Sequence, residues 1–364
     1  MIELSVIVPT FNERDNVTEM VRRLTSALDG LSWEVIFVDD NSPDGTADAV
    51  REIARCDRRV RCLHRFGRRG LSSACVEGIL SSSAPYCAVM DGDLQHDEKI
   101  LPRMLDTIKR ENLDLVIGSR YVDGGSIGNW DTSRASISSM ATKLSQFVVR
   151  ADLADPMSGF FLLRREIVHE ALPRLSNIGF KILIDICASI PRRCRYKEIP
   201  FQFRRRQAGR SKLDSQVAWE YLMLLLDKLI GRWIPPRFVV FCMVGSIGLL
   251  AHLTFVAVAY GALGIEFTIS QAGATLFAMT GNFLLNNIFT YYDRRLRGWR
   301  LVAGLAKFLL ACGIGVMANL SVASYIFYEQ RLSWTPSAIA GALVSVVWNY
   351  VVTGFYTWNS RQHR

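Results

Sequence analysis

The sequence predicts an α/β domain built on a mainly parallel sheet, followed by an all-α domain of four membrane-spanning helices. Two observations predict the first half. Short Val/Ile-rich runs alternate with segments of helical apolar spacing between residues 3 and 117, and acidic residues and glycines gather where the runs end. A third predicts the second half: four long apolar stretches follow Pro236 in succession.

Residues 3–9, ELSVIVP, and 34–40, EVIFVDD, read as strands, and between them Val17, Met20, Val21 and Leu24 fall at helical spacing. Val60–His64 reads as a strand, Leu71–Ser81 as a helix, 86–90 as a strand, 100–109 as a helix and 113–117 as a strand. Such alternation implies a parallel sheet covered by helices, with ligands at the carboxyl ends of the strands. Those ends carry PTFNE at 9–13, DDNSPDGT at 39–46, Asp91 with Asp93, and GSRY at 118–121, which together describe a nucleotide-binding crevice. No GxGxxG follows the first strand and no Walker A occurs, so a nicotinamide or flavin site and a P-loop are both disfavoured.

In DGDLQH, residues 91–96, two carboxylates are separated by one residue at a strand end. Positions i and i+2 of an extended chain face the same way, so Asp91 and Asp93 can aim at one ion. Oxygen ligands select a hard cation, Mg²⁺ or Mn²⁺. The competing reading of a bare DxD is a polar turn.

Half of the 364 residues are hydrophobic and the mean hydropathy is +0.17, an average that conceals a division at Pro236. The apolar stretches, about 238–263, 269–292, 301–328 and 337–358, each exceed the roughly 20 residues that a helix needs to cross a bilayer. Arg294, Arg295, Arg297 and Arg300 lie in the second connection, whereas the first has no Lys or Arg and the third only Arg331. By the positive-inside rule this reading predicts a multi-pass protein with both termini, and with them the first domain, in the cytoplasm. The first 30 residues show no cleavable signal. Eight cysteines form no CxxC pair or zinc-spaced cluster. The net charge of +9 comes without a nucleic-acid module, so anionic lipid headgroups rather than nucleic acid are the expected partner. Residues 214–236 read as an amphipathic interfacial helix and linker, against the alternative of an ordinary core helix.

The motifs VIVPTFNE, VDDNSPDGT, HRFGRRGLSSACVEG, DGDLQH, GSRY, DPMSGF and FRRRQAGRSKL, in order across residues 4–213, resemble the inverting family 2 glycosyltransferases of GT-A (Rossmann-like) fold. Within these they resemble the polyprenyl-phosphate branch typified by dolichol-phosphate mannose synthases, and the four spans resemble a GtrA-type membrane domain over 237–364. The resemblance implies that Pro9, Asn12, Glu13, Asp39, Asp40, Asp44, Gly70, Asp91 and Gly92 bind the nucleotide sugar. It further implies that Asp91, Asp93 and Gln95 hold the metal, and that Arg120, Ser133, Arg134, Arg206 and Lys212 hold the acceptor phosphate. Asp91, Asp93, Arg120 and Arg134 are the expected catalytic set.

The implied reaction moves one hexose, mannose from GDP-mannose, onto dolichyl or polyprenyl phosphate at the cytoplasmic face with inversion. UDP-glucose or another hexose donor is the alternative, and a carrier or flippase role for the membrane half is an alternative of another class. Residues 124–134 read as a loop over the acceptor site. Two departures from the family pattern are Arg210 before Ser211 and Lys212, where an acidic residue is usual, and Gly92, where Ala is commoner. The sequence leaves oligomeric state and polyprenol length open.

Overall fold

The computed structural model describes residues 2–125, 149, 152–176, 179–204, 215–231, 233–328 and 334–358. The chain divides into two compact units, Met1–Leu229 and Ile230–Arg364.

In the first unit, β1 (Leu4–Thr10) sends Leu4, Val6 and Val8 to one face of the sheet and Ile7 to the other, all fully buried. The same alternation in β2 (Trp33–Asp39), β3 (Val60–His64), β4 (Tyr86–Val89), β5 (Leu115–Ser119), β6 (Phe161–Arg164) and β7 (Tyr196–Pro200) builds one seven-stranded sheet of order β3-β2-β1-β4-β6-β5-β7. Only β6 runs antiparallel, between β4 and β5. One face is covered by α1 (Arg14–Ala27), α2 (Thr46–Cys56) and α4 (Leu101–Arg110), which bury Val17, Met20, Leu24, Val50, Met104 and Ile108. The other carries α3 (Leu71–Ser81), α5 (Arg165–Ala171), α6 (Ile182–Ser189) and α7 (Ser215–Ile230). Tyr221, Leu224 and Leu225 of α7 belong to that core.

Five elements, α2, α5, α6, β6 and β7, have no counterpart in the sequence pattern. α2 buries only Thr46, Ala47 and Val50, so its apolar stripe is thin. β6 is four residues long and β7 mixes Lys and Glu into five, because β6 is set by its pairing with β4 and β5 and β7 by its pairing with β5 rather than by local composition.

A buried carboxylate ties β5 to the approach to β7. Asp114, 1% exposed, accepts from Arg192 Nη1 at 2.7 Å and from the Arg195 backbone N–H at 2.9 Å. Burial pushes its pKa up, but those hydrogen bonds outweigh it and hold the carboxyl at about 2. A depressed carboxyl stabilises the fold above its unfolded-state pKa of about 3.9 and ceases to do so as pH falls through the folded value. Asp114→Asn is expected to cost about 1–3 kcal/mol near neutral pH. The gap to wild type should close between about pH 5 and pH 2 in urea titrations, and a pH-independent gap would contradict the assignment.

In the second unit each apolar stretch falls on a helix: α8 (Pro236–Val256), α9 (Phe267–Leu285), α10 (Trp299–Tyr328) and α11 (Trp334–Tyr356). α8 continues through a π-turn, and Pro236–Ala262, 27 residues that include an 18-residue stretch of mean hydropathy 2.2, is long and apolar enough to cross a membrane. The unit is an internal repeat. At an offset of 67 residues, Phe241, Ile247, Gly248, Ala251 and Leu253 recur as Phe308, Ile314, Gly315, Ala318 and Leu320, and Asn282, Thr290 and Tyr291 recur as Asn349, Thr357 and Trp358. Packing follows the repeat. Phe241 meets Tyr350 and its counterpart Phe308 meets Phe283, both at 5.6 Å, while Tyr291 and Trp358 stack on each other at 4.2 Å. Reciprocal pairs of this kind are what a two-fold relation between α8–α9 and α10–α11 produces. Asn282 packs on Gly248 and Asn349 on Gly315, where any Cβ would lie within 2.2 Å of an amide oxygen, so each hairpin closes through one glycine.

Candidate active site

β1 pairs with β2 on one side and β4 on the other, and the chain leaves β1 and β4 toward opposite flanks. A crevice opens at the carboxyl ends of strands where the winding order reverses in this way. The expected residues fall on its rim.

At the β1–β2 side, Pro9 is half-buried in β1 and Asn12 is exposed in a left-handed conformation, φ 59°. The Glu13 carboxylate accepts from Asn16 Nδ2 at 2.7 Å. Asp39, fully buried, accepts from the Ser42 hydroxyl at 2.5 Å, the Ser42 N–H at 2.9 Å and the Thr10 hydroxyl at 3.3 Å. Both oxygens of Asp40 are likewise engaged, by Arg65 Nη1 and the Gly70 N–H, each at 2.8 Å. Burial raises the Asp40 pKa, and the Gly70 and Arg65 contacts offset that only in part. Burial pushes the Asp44 carboxyl up, but it accepts from the Thr46 N–H and hydroxyl and from the Arg14 N–H, and these bonds hold it below the usual range. These acids are therefore held by protein partners, and Arg65, 2% exposed, stands within the motif at 64–78 although nothing in that motif selects Asp40 as its partner.

Beyond β4, Gly92 lies against the first strand end, where a Cβ would come within 3.2 Å of Thr10 Cγ2. Leu94 is buried with φ 62°, a costly conformation for an apolar non-glycine residue that the surrounding core must enforce. His96 Nδ1 accepts the Asp91 N–H at 3.1 Å, so the neutral ring carries its proton on Nε2, 3.7 Å from Asp91 Oδ2. Burial, with the ring stacked on Phe160 at 5.0 Å, lowers the His96 pKa and keeps it neutral. The Asp91 carboxylate accepts no hydrogen bond from any described residue, and 38% of its side chain reaches solvent. Its pKa is raised, first by the dense surroundings and then by Asp93, against the pull of His96, Lys181 and Arg120. Two mutually repelling carboxylates, one without a donor, suit a divalent cation. Gln95 Nε2 is tied to the Arg204 carbonyl at 3.0 Å, and its Oε1 takes no hydrogen bond from any described residue. Among the described residues no three His, Cys, Asp or Glu side chains converge on one point.

Arg120, just past β5, donates Nε and Nη2 to Asp155, each at 2.8 Å, and Asp155 is completely buried. Glu198 on β7 accepts the Asp155 N–H at 2.9 Å and so anchors that loop. Lys181, at the start of α6, joins the same field: burial lowers its pKa, Arg120 lowers it further, and Asp91 and Asp155 act oppositely. Its sequence context, GFKIL, offers no periodic or motif signal. The structure thus gathers Asp91, Asp93 and Arg120 into one electrostatic cluster and adds His96, Asp155 and Lys181. Ser133, Arg134, Arg206 and Lys212 lie outside the described residues.

A carboxylate pair beside a nucleotide crevice in a mainly parallel sheet is the equipment of a sugar-nucleotide transferase. Residues 5–172 match Glycosyl transferase family 2, and residues 240–358 match the GtrA/DPMS transmembrane domain. The sequence is 35% identical to the dolichol-phosphate mannosyltransferase of Pyrococcus furiosus over 98% of this chain and 99% of that one. It is 34% identical to the dolichol-phosphate mannosyltransferase of Saccharomyces cerevisiae over 68% of this chain and 94% of that one. Among solved structures, glucosyl-3-phosphoglycerate synthase from Mycobacterium tuberculosis with Mn²⁺, UDP-glucose and phosphoglyceric acid is similar at TM-score 0.46 and 17% identity, over 62% of this chain and 79% of that one. The chain belongs to the dolichol-phosphate mannosyltransferase family of the family 2 glycosyltransferases.

Proposed function

We propose that the chain transfers mannose from GDP-mannose to dolichyl or polyprenyl phosphate with inversion. The observation that carries this reading is the Asp91/Asp93 pair at the switch point of a chain similar along nearly its whole length to a dolichol-phosphate mannosyltransferase. Mg²⁺ or Mn²⁺ on Asp91, Asp93 and Gln95 would neutralise charge developing on the leaving nucleoside diphosphate. A lipid monophosphate has a second pKa of about 6 and reaches the site as a dianion, so no general base is required. What the acceptor needs is orientation behind the anomeric carbon. Arg120, pre-set by Asp155, with Lys181, supports that role, and Ser133, Arg134, Arg206 and Lys212 complete the proposed acceptor site. Pro9, Asn12, Glu13, Asp39, Asp40, Asp44, Gly70 and Gly92 form the proposed nucleotide wall. The second unit makes this a membrane protein. We assign it four spans with both termini and the catalytic unit cytoplasmic, and an interfacial position to the outer face of α7, where Leu222 and Leu229 are exposed.

Full-length protein supplied with radiolabelled GDP-mannose, Mg²⁺ and a short polyprenyl phosphate should form lipid-linked mannose. Use of UDP-glucose in preference would overturn the donor assignment, and use of no sugar nucleotide the whole reading. Chelation by EDTA should abolish turnover and added Mg²⁺ or Mn²⁺ restore it; turnover that survives exhaustive chelation would remove the metal role.

A further inference from the structure

The two-fold packing of the membrane unit departs from symmetry at the connection between α9 and α10. Asn287, in the π-turn Asn286–Thr290, has Gly354 as its counterpart in the second repeat. Only 3% exposed, Asn287 grips the connection: its Oδ1 accepts the Leu296 N–H at 2.8 Å and Trp358 Nε1–H at 3.0 Å, and its Nδ2 donates to the Leu296 carbonyl at 3.1 Å. A side chain that pairs with both backbone groups of Leu296 fixes the two residues flanking it, Arg295 and Arg297. Both line an open cavity of about 310 Å³ whose apolar wall is Leu284, Ile288 and Leu301.

The charges around this cavity are not balanced. Arg237 and Arg294 share Asp293, at 2.8 and 3.7 Å, whereas Arg295 and Arg297 make no ion pair with any described residue. Two uncompensated guanidinium forks beside an aliphatic wall, at the end of an apolar helix, match a phosphate ester that carries a hydrocarbon tail. We infer that this cavity binds the phosphate headgroup of an anionic membrane lipid, with its chain along Leu284, Ile288 and Leu301. The inference rests on the α9–α10 connection lying at a membrane surface. A buried asparagine that exists in one repeat only, and that orders two arginines, distinguishes a built site from a merely basic loop.

The test uses the full chain in phosphatidylcholine nanodiscs doped either with phosphatidylglycerol or with polyprenyl phosphate, and native mass spectrometry of the retained lipid. Wild type should retain a doped anionic lipid over phosphatidylcholine, and the arm in which it does so names the source. Arg295→Gln/Arg297→Gln should lower retention at least tenfold, and so should Leu284→Trp, which fills the wall with both arginines in place. Arg294→Gln/Arg300→Gln removes the same charge from the same connection and should retain the lipid. No preference in either arm, or equal losses in the two double variants, would overturn the site. Failure of the chain to enter nanodiscs at all would instead overturn the membrane placement.

Discussion

Asp93→Ala is expected to lower mannosyl transfer by about 10³-fold or more, since loss of a metal ligand removes several kcal/mol of charge stabilisation at the leaving diphosphate and each tenfold in rate corresponds to about 1.36 kcal/mol. The fold should survive. Asp93 raises the Asp91 pKa by repulsion, so its removal relieves a buried electrostatic cost. The variant should therefore melt near the wild-type temperature while single-turnover transfer from GDP-mannose collapses and the metal concentration for half-activity rises. Full activity in Asp93→Ala at ordinary Mg²⁺ would end the metal assignment for this pair.

The second large effect is expected at Asp155. Replacing it by Asn leaves Arg120 with its side chain 10% exposed and no carboxylate opposite, and breaking one partner of a buried pair costs about 3–5 kcal/mol. Two readouts should move together. Hydrogen exchange at the end of β5 should accelerate, because Asp155 also accepts the Arg120 N–H at 3.1 Å. The KM for the lipid phosphate should rise more than that for GDP-mannose, because the displaced group, Arg120, is the proposed acceptor-side cation. An equal rise in both KM values would make Asp155 a purely structural residue. Lys181→Met, by contrast, should leave stability near wild type, since burial disfavours its charge, yet weaken acceptor use.

Much of this site was legible from residue order. Asp91 and Asp93 announce themselves because a two-residue spacing at a strand end is a geometric statement, whereas the close approach of Gly92 to Thr10 is seen only in the folded chain. Asp39, Asp40 and Asp44 were legible as a group, but not in their individual roles. Their oxygens are spent on Ser42, Arg65, Gly70 and Thr46, partners that sequence spacing alone does not select. His96 stands within a recognised motif, yet its proton position follows only from the Asp91 N–H pointing at Nδ1. Arg65, Asp155 and Lys181 act at a distance along the chain, and Lys181 carries no local signal at all.

The sequence by itself determined the α/β character, the order of strands 4–119, the carboxylate pair and the apolar second half, because each rests on a period or spacing within one short segment. Only the tertiary structure decided that β6 enters antiparallel between β4 and β5, that Arg120 faces Asp155 rather than solvent, and that α7 lends Tyr221, Leu224 and Leu225 to the catalytic core. It likewise decided that Tyr291 stacks on its repeat counterpart Trp358. These are pairings between segments far apart in the chain, and their partners are chosen by packing and by the cost of leaving buried polar groups unmatched, quantities that no local pattern contains.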